Sequence, residues 1–160
     1  MIGFTGARHL SPEYRPIVAR IVNLIGGIEV AVGCQHGLDE MVRELRPDAA
    51  VFRAADYGQG AWAYALRSQK MIEFVGRNGG KLIAFPDKPC PDDVKPGPNF
   101  YGAGNGTWAT IAFAIRTGVP AAVFPCGFEI LPAWGEWIAL GGKWDGGFRF
   151  VPPAKQMNFF

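Results

Sequence analysis

Three glycine-bearing turns gather the residues of this sequence whose types and spacing fit ligand chemistry. They are Thr5-Gly6-Ala7-Arg8, Gly33-Cys34-Gln35-His36-Gly37-Leu38-Asp39 and Gly102-Ala103-Gly104-Asn105-Gly106-Thr107. A glycine turn feeding a helix presents unpaired backbone N–H groups and the positive end of the helix dipole, which together favour phosphate or carboxylate. Glycine also serves such turns for backbone reasons alone. Asp39 has two readings: a favourable charge on the dipole of the second helix, or a contact to sugar or base.

Other chemistries have less support. Cys34 and His36 stand two apart, but a sharp turn seldom lets such neighbours meet as thiolate and base, and the sequence shows no third orienting residue. His9 beside Arg8 either touches an anion or is exposed. There is no Walker pattern and no metal-ligand cluster, so neither metal nor cofactor is expected. The cysteines Cys34, Cys90 and Cys126 are odd in number and far apart, which argues against a disulfide framework and for reduced thiols.

The elements that must position these turns follow from the apolar runs. Residues 1–5, 28–33, 49–53, 81–85 and 120–124 are short, solidly apolar and bounded by glycine, proline or polar residues, as buried strands are. Between them lie helical patterns. Ser11-Pro12 opens the first, with Tyr14, Ile17, Val18, Ile21, Val22 and Ile25 on one face. Leu38, Met41, Val42 and Leu45 mark the second, residues 60–75 the third and 107–117 the fourth. Alternating strands and helices predict an α/β fold: a parallel five-stranded sheet with helices on both faces. From Cys126 the rhythm breaks. Trp134, Trp137, Trp144, Phe148 and Phe150 stand among glycines and prolines, read either as an aromatic lid on the sheet or a partner subunit, or as a wall for a base.

The chain has 160 residues, 49% hydrophobic and 19% charged, which suits one compact body and excludes a solvated disordered chain. Its net charge of +2 does not favour nucleic acid. No run reaches membrane-spanning length and the N-terminal residues lack a signal-peptide pattern, so a cytoplasmic protein without membrane partners is expected. An aromatic extension beside a parallel sheet also leads to the expectation of a homo-oligomer.

Thr-Gly-Ala-Arg after the first strand, Gly-x-x-x-Gly-x-Asp after the second, Arg67-Ser68-Gln69-Lys70-Met71 on the third helix and Gly-Asn-Gly-Thr before the fourth occur in a familiar order. In that order the chain resembles the SLOG superfamily, a Rossmann-like group. It contains the DNA-processing protein A fold, the "lonely guy" (LOG) phosphoribohydrolases and nucleotide-sensing domains of antiphage systems. The resemblance covers about residues 1 to 125, leaving 126–160 as an aromatic extension. It implies a nucleotide-like ligand across the top of the sheet, its phosphate near Gly104, Asn105, Gly106 and Thr107, with Arg8 or Arg67 supplying positive charge. The implied contact set also includes Gly6, Ala7, Gly33, Gly37, Asp39, Met71 and Thr110.

One position departs from the hydrolytic relatives. Where the phosphoribohydrolases carry a glutamate that acts on the ribose, this sequence has Thr110, which can neither stabilise oxocarbenium charge nor act as a carboxylate base. The expected function is therefore binding of a nucleotide or nucleotide-derived molecule, ADP-ribose-like or a nucleoside phosphate, by a sensor or sequestering protein. The alternative is an N-glycosidic hydrolase using Asp39, Glu40, Asp56 or Glu73 as substitute acid, and a further one is single-stranded DNA handling.

Overall fold

The computed structural model describes residues 1–100 and 106–153. Five strands, β1 (Ile2–Gly6), β2 (Val30–Gly33), β3 (Ala50–Phe52), β4 (Lys81–Phe85) and β5 (Ala121–Val123), pair in parallel in the order β3-β2-β1-β4-β5. Their side chains are apolar on both faces because both faces are covered. Phe4, Val30, Val32, Ile83 and Phe85 enter one core with α1 (Arg15–Leu24) and α2 (Leu38–Leu45). Ala31, Leu82, Ala84, Ala121 and Val123 enter the other with α3 (Ala61–Arg77) and α4 (Gly106–Arg116). Consecutive residues of one strand thus serve opposite cores, which is the physical origin of the solid apolar runs.

The sheet is larger than the five parallel strands expected from the sequence, and it is mixed. Strands β6 (Glu136–Ala139) and β7 (Phe148–Val151) pair antiparallel with each other, and β7 pairs antiparallel with β5, making a seven-stranded sheet of order β3-β2-β1-β4-β5-β7-β6. The aromatic extension therefore continues the sheet. Trp137 lies opposite Phe150 in the ladder, their rings 5.1 Å apart, while Trp134 stands edge-on to the fully buried Trp108 at 5.7 Å. Gly147 allows the hairpin to close on the core, since a Cβ there would lie 2.6 Å from the Phe124 ring. Each strand has only four residues, too few for alternation to stand out among tryptophans and glycines.

The helix boundaries differ in detail. Pro12–Tyr14 forms a 3-10 turn ahead of α1, and Ser11 makes no side-chain cap bond. Helix α3 continues to Arg77, two residues past the expected end. Among the described residues no helix is long and apolar enough to cross a membrane.

Strand order fixes where a ligand fits. From β1 the chain moves outward through β2 and β3, then returns to place β4 on the other side of β1. Loops leaving β1 and β4 consequently diverge, and such a reversal opens a crevice at the carboxyl ends of the strands.

Candidate functional site

A cavity of about 470 Å³ occupies that crevice, within the range of small-molecule sites. The chain leaving β1 supplies Thr5, Gly6, Ala7, Arg8 and His9, and the chain leaving β4 supplies Pro86, Asp87 and Lys88. Helix α3 contributes Ala61, Tyr64, Ala65, Arg67 and Ser68; the start of α4 contributes Gly106, Thr107, Trp108 and Thr110; Gln35, Asp39 and Phe100 complete the described wall.

Arg67 is the central group. Its side chain is only 7% exposed and meets the 5% exposed Asp39 through Nη1 and Oδ2 at 3.4 Å, while its Nε–H has no hydrogen-bond partner among the described residues. A buried donor without a partner carries a desolvation cost that an incoming acceptor removes. Asp39 holds the other side of the guanidinium. Its Oδ2 also accepts the Gln35 backbone N–H at 3.2 Å, and Arg43 donates from Nη1 to the carbonyls of Gly33 at 2.8 Å and Gln35 at 3.0 Å. Burial pushes the Asp39 carboxyl up from its ordinary pKa, against the downward pull of Arg67, the Gln35 N–H and Arg43.

The glycines near the site divide by what a side chain would meet. At Gly33 a Cβ would fall 1.4 Å from Arg67 Nη1 and 2.5 Å from Asp39 Oδ2, so the Nη1 end of the guanidinium occupies the space a side chain would take at this strand end. At Gly6 a Cβ would meet Leu38, and at Gly37, whose φ is +68°, it would meet the carbonyls of Ala7 and Arg8. The Leu38 N–H donates to the Ala7 carbonyl at 3.1 Å, tying α2 to the β1 turn. Gly6 faces the cavity as well, whereas Gly33 and Gly37 stand behind its wall. Gly106 is different: it lines the cavity, and a Cβ there would meet no described atom within 4 Å.

The remaining expected residues are placed as follows. Ala7, Arg8, Asp39, Arg67, Thr107 and Thr110 share the cavity wall. Met71 is buried in the core between α3 and the sheet, away from that wall. Gly104 and Asn105 fall outside the described residues. The Thr110 hydroxyl donates to the Gly106 carbonyl at 2.6 Å, within its own helix. Of the four acids named as substitutes, Asp39 alone reaches the cavity. Glu40 is 3.5 Å from the exposed His36, Glu73 pairs with Lys70 at 3.2 Å, and Asp56 is exposed. Cys34 Sγ accepts the Ala54 N–H at 3.3 Å. Among the described residues no cluster of His, Cys, Asp and Glu is suited to a metal ion.

Sequence reasoning missed the Pro86-Asp87-Lys88 segment, together with Tyr64, Ser68, Trp108 and Phe100. The strand order would have pointed to the first of these, since the residues leaving β4 must face those leaving β1. Ala61, Tyr64, Ala65 and Ser68 recur at helical spacing, and that spacing alone does not separate a cavity wall from a core face.

The arrangement can hold an anion, with buried Arg67 and the N-terminus of an eleven-residue helix on the same cavity. Comparison of the chain with protein-family models, with curated proteins and with solved structures finds no match.

Proposed function

We propose that this protein binds a nucleotide or nucleotide-derived small molecule, such as an ADP-ribose-like species or a nucleoside phosphate, in the cavity at the carboxyl ends of β1 and β4, as a sensor or sequestering protein. The observation that carries this reading is buried Arg67: the residue lines a small-molecule cavity, its guanidinium is held by Asp39, and its Nε is a buried donor without a partner among the described residues. A phosphate oxygen accepts such a donor and satisfies the charge. The resemblance of the glycine turns to those of the SLOG superfamily supports the same ligand class.

Binding without turnover agrees with the two groups expected at the sugar, leaving Asp87 as the other carboxylate on the described cavity wall. Thr110 spends its hydroxyl on Gly106, and Asp39 is committed to Arg67 and Gln35. Neither group is set up as a free base beside a sugar. The test is calorimetric titration with adenosine monophosphate and ADP-ribose, using natural protein and Gly106→Val. A side chain at Gly106 meets no described atom, so the variant should fold normally while its valine crowds the anion position. Saturable heat from the natural protein and its loss in Gly106→Val are expected. Equal affinity in both would remove the α4 N-terminus from the site, and release of free base during the titration would contradict binding without turnover.

A further inference from the structure

We propose that Tyr64 and Arg8 form a seat for the planar base of the ligand, one helical turn from the anion seat at Arg67, so that Arg8 serves the ring and not the phosphate. The inference rests on the binding reading above and assigns that site its selectivity: a nucleoside monophosphate or similar phosphate bearing a planar base over a sugar phosphate without one.

Tyr64 is a large aromatic left 42% exposed on the cavity wall. It stands three residues before Arg67 and four before Ser68, so the three side chains occupy one face of α3. At 1.5 Å rise per residue, the Cα atoms of Tyr64 and Arg67 are offset by about 4.5 Å along the helix, a step on the scale of the pentose that separates a base from a 5′-phosphate. The flanking wall residues Ala61 and Ala65 are small and leave the ring uncrowded on its own helix.

Arg8 comes from the β1 turn, and its guanidinium carbon lies 5.7 Å from the centroid of the Tyr64 ring. That is cation–π distance. An exposed guanidinium over an aromatic ring is a hydrated planar surface that accepts the π-face of a base, whereas a buried guanidinium fixed by a carboxylate acts as a charge. Arg8 is exposed and Arg67 is buried. The two arginines of one cavity thus have different surroundings, and two chemically different parts of one ligand match them.

Calorimetry with adenosine monophosphate and ribose 5-phosphate separates the two seats. The natural protein should bind the monophosphate more tightly than the sugar phosphate. Tyr64→Ala and Arg8→Gln should each weaken the monophosphate by about tenfold or more, the scale for losing one stacking partner of a base, with ribose 5-phosphate changed less than about twofold. Tyr64→Phe, which keeps the ring, should retain the natural selectivity. Equal weakening of both probes by Arg8→Gln would make Arg8 a phosphate group and overturn the proposal while leaving nucleotide binding intact. So would equal affinity of the natural protein for the two probes. No binding of either probe by the natural protein would overturn the binding reading and this seat with it.

Discussion

Gly33→Ala gives the sharpest access to how Arg67 is held. Gly33 does not have a positive φ, so alanine fits its backbone, and the whole cost comes from neighbours. The three atoms nearest to a new Cβ are Arg67 Nη1 at 1.4 Å, Asp39 Oδ2 at 2.5 Å and Arg67 Cζ at 2.6 Å. The guanidinium must leave, and the buried Asp39 loses its counter-charge. Breaking a buried pair costs about 3–5 kcal/mol, a large share of the roughly 5–15 kcal/mol that holds a domain of this kind together. In an Asp39→Ala/Arg67→Ala background all three obstructing atoms are gone. There the same Gly33→Ala change should be close to neutral, or stabilising by about 0.4–1 kcal/mol through the stiffer unfolded chain. Urea unfolding of the four proteins, compared at constant m, yields the coupling. A coupling of about 3 kcal/mol or more is expected. An equal cost for Gly33→Ala in both backgrounds would refute this placement of the guanidinium, because the clash would then lie elsewhere.

Asp39, whose carboxyl is raised in the folded protein above its ordinary value of 3.8, binds its proton more tightly folded than unfolded. Its contribution to stability is therefore full below that ordinary value and falls as pH rises through the raised one; the stability of natural protein minus that of Asp39→Asn should decline over that window, and a difference that grows with pH would reverse the sign. Trp134→Ala should cost about 2–3 kcal/mol, somewhat less than a fully buried tryptophan, because Trp134 is half-buried yet stands edge-on to Trp108. For a chain of this size that lowers Tm by roughly 4–12 °C, and a shift under about 1 °C would make the hairpin a loose appendage. Burial pushes the Cys90 and Cys126 thiols up to about 12, so neither should react with iodoacetamide in the native protein at pH 8, as peptide mass mapping will show.

The five parallel strands and four helices were legible because backbone signals separate helix from following strand, such as Gly26-Gly27 after α1, Gly79-Gly80 after α3 and Gly118 before Pro120 after α4. The errors have local causes. Ile28 and Glu29 continue the apolar run only in appearance, since both are exposed and β2 starts at Val30. The hairpin was hidden because its pairing partner, β5, is distant in sequence from β7, and four residues of Phe-Arg-Phe-Val do not announce a strand. In the site, the glycine turns and Arg67 were visible, but the reasons for three of the glycines were not. Gly6 makes room for Leu38, Gly37 for the carbonyls of Ala7 and Arg8, and Gly33 for Arg67. Those are contacts between segments, and local sequence carries no trace of them. Asp87 was invisible for a related reason, since only the order of β1 and β4 brings it to the cavity.

The most direct measurement is nitrogen-15 NMR of the Arg67 Nε–H, assigned by its loss in Arg67→Lys, during titration with adenosine monophosphate and ADP-ribose. Arg67 lines the cavity, and this proton, buried beneath its surface, has no partner among the described residues. A phosphate-bearing ligand in the cavity should move its resonance saturably and slow its exchange with water, with inorganic phosphate producing the same displacement at higher concentration. A resonance that stays unmoved by all three, at concentrations that saturate ordinary nucleotide sites, would contradict nucleotide binding in this cavity.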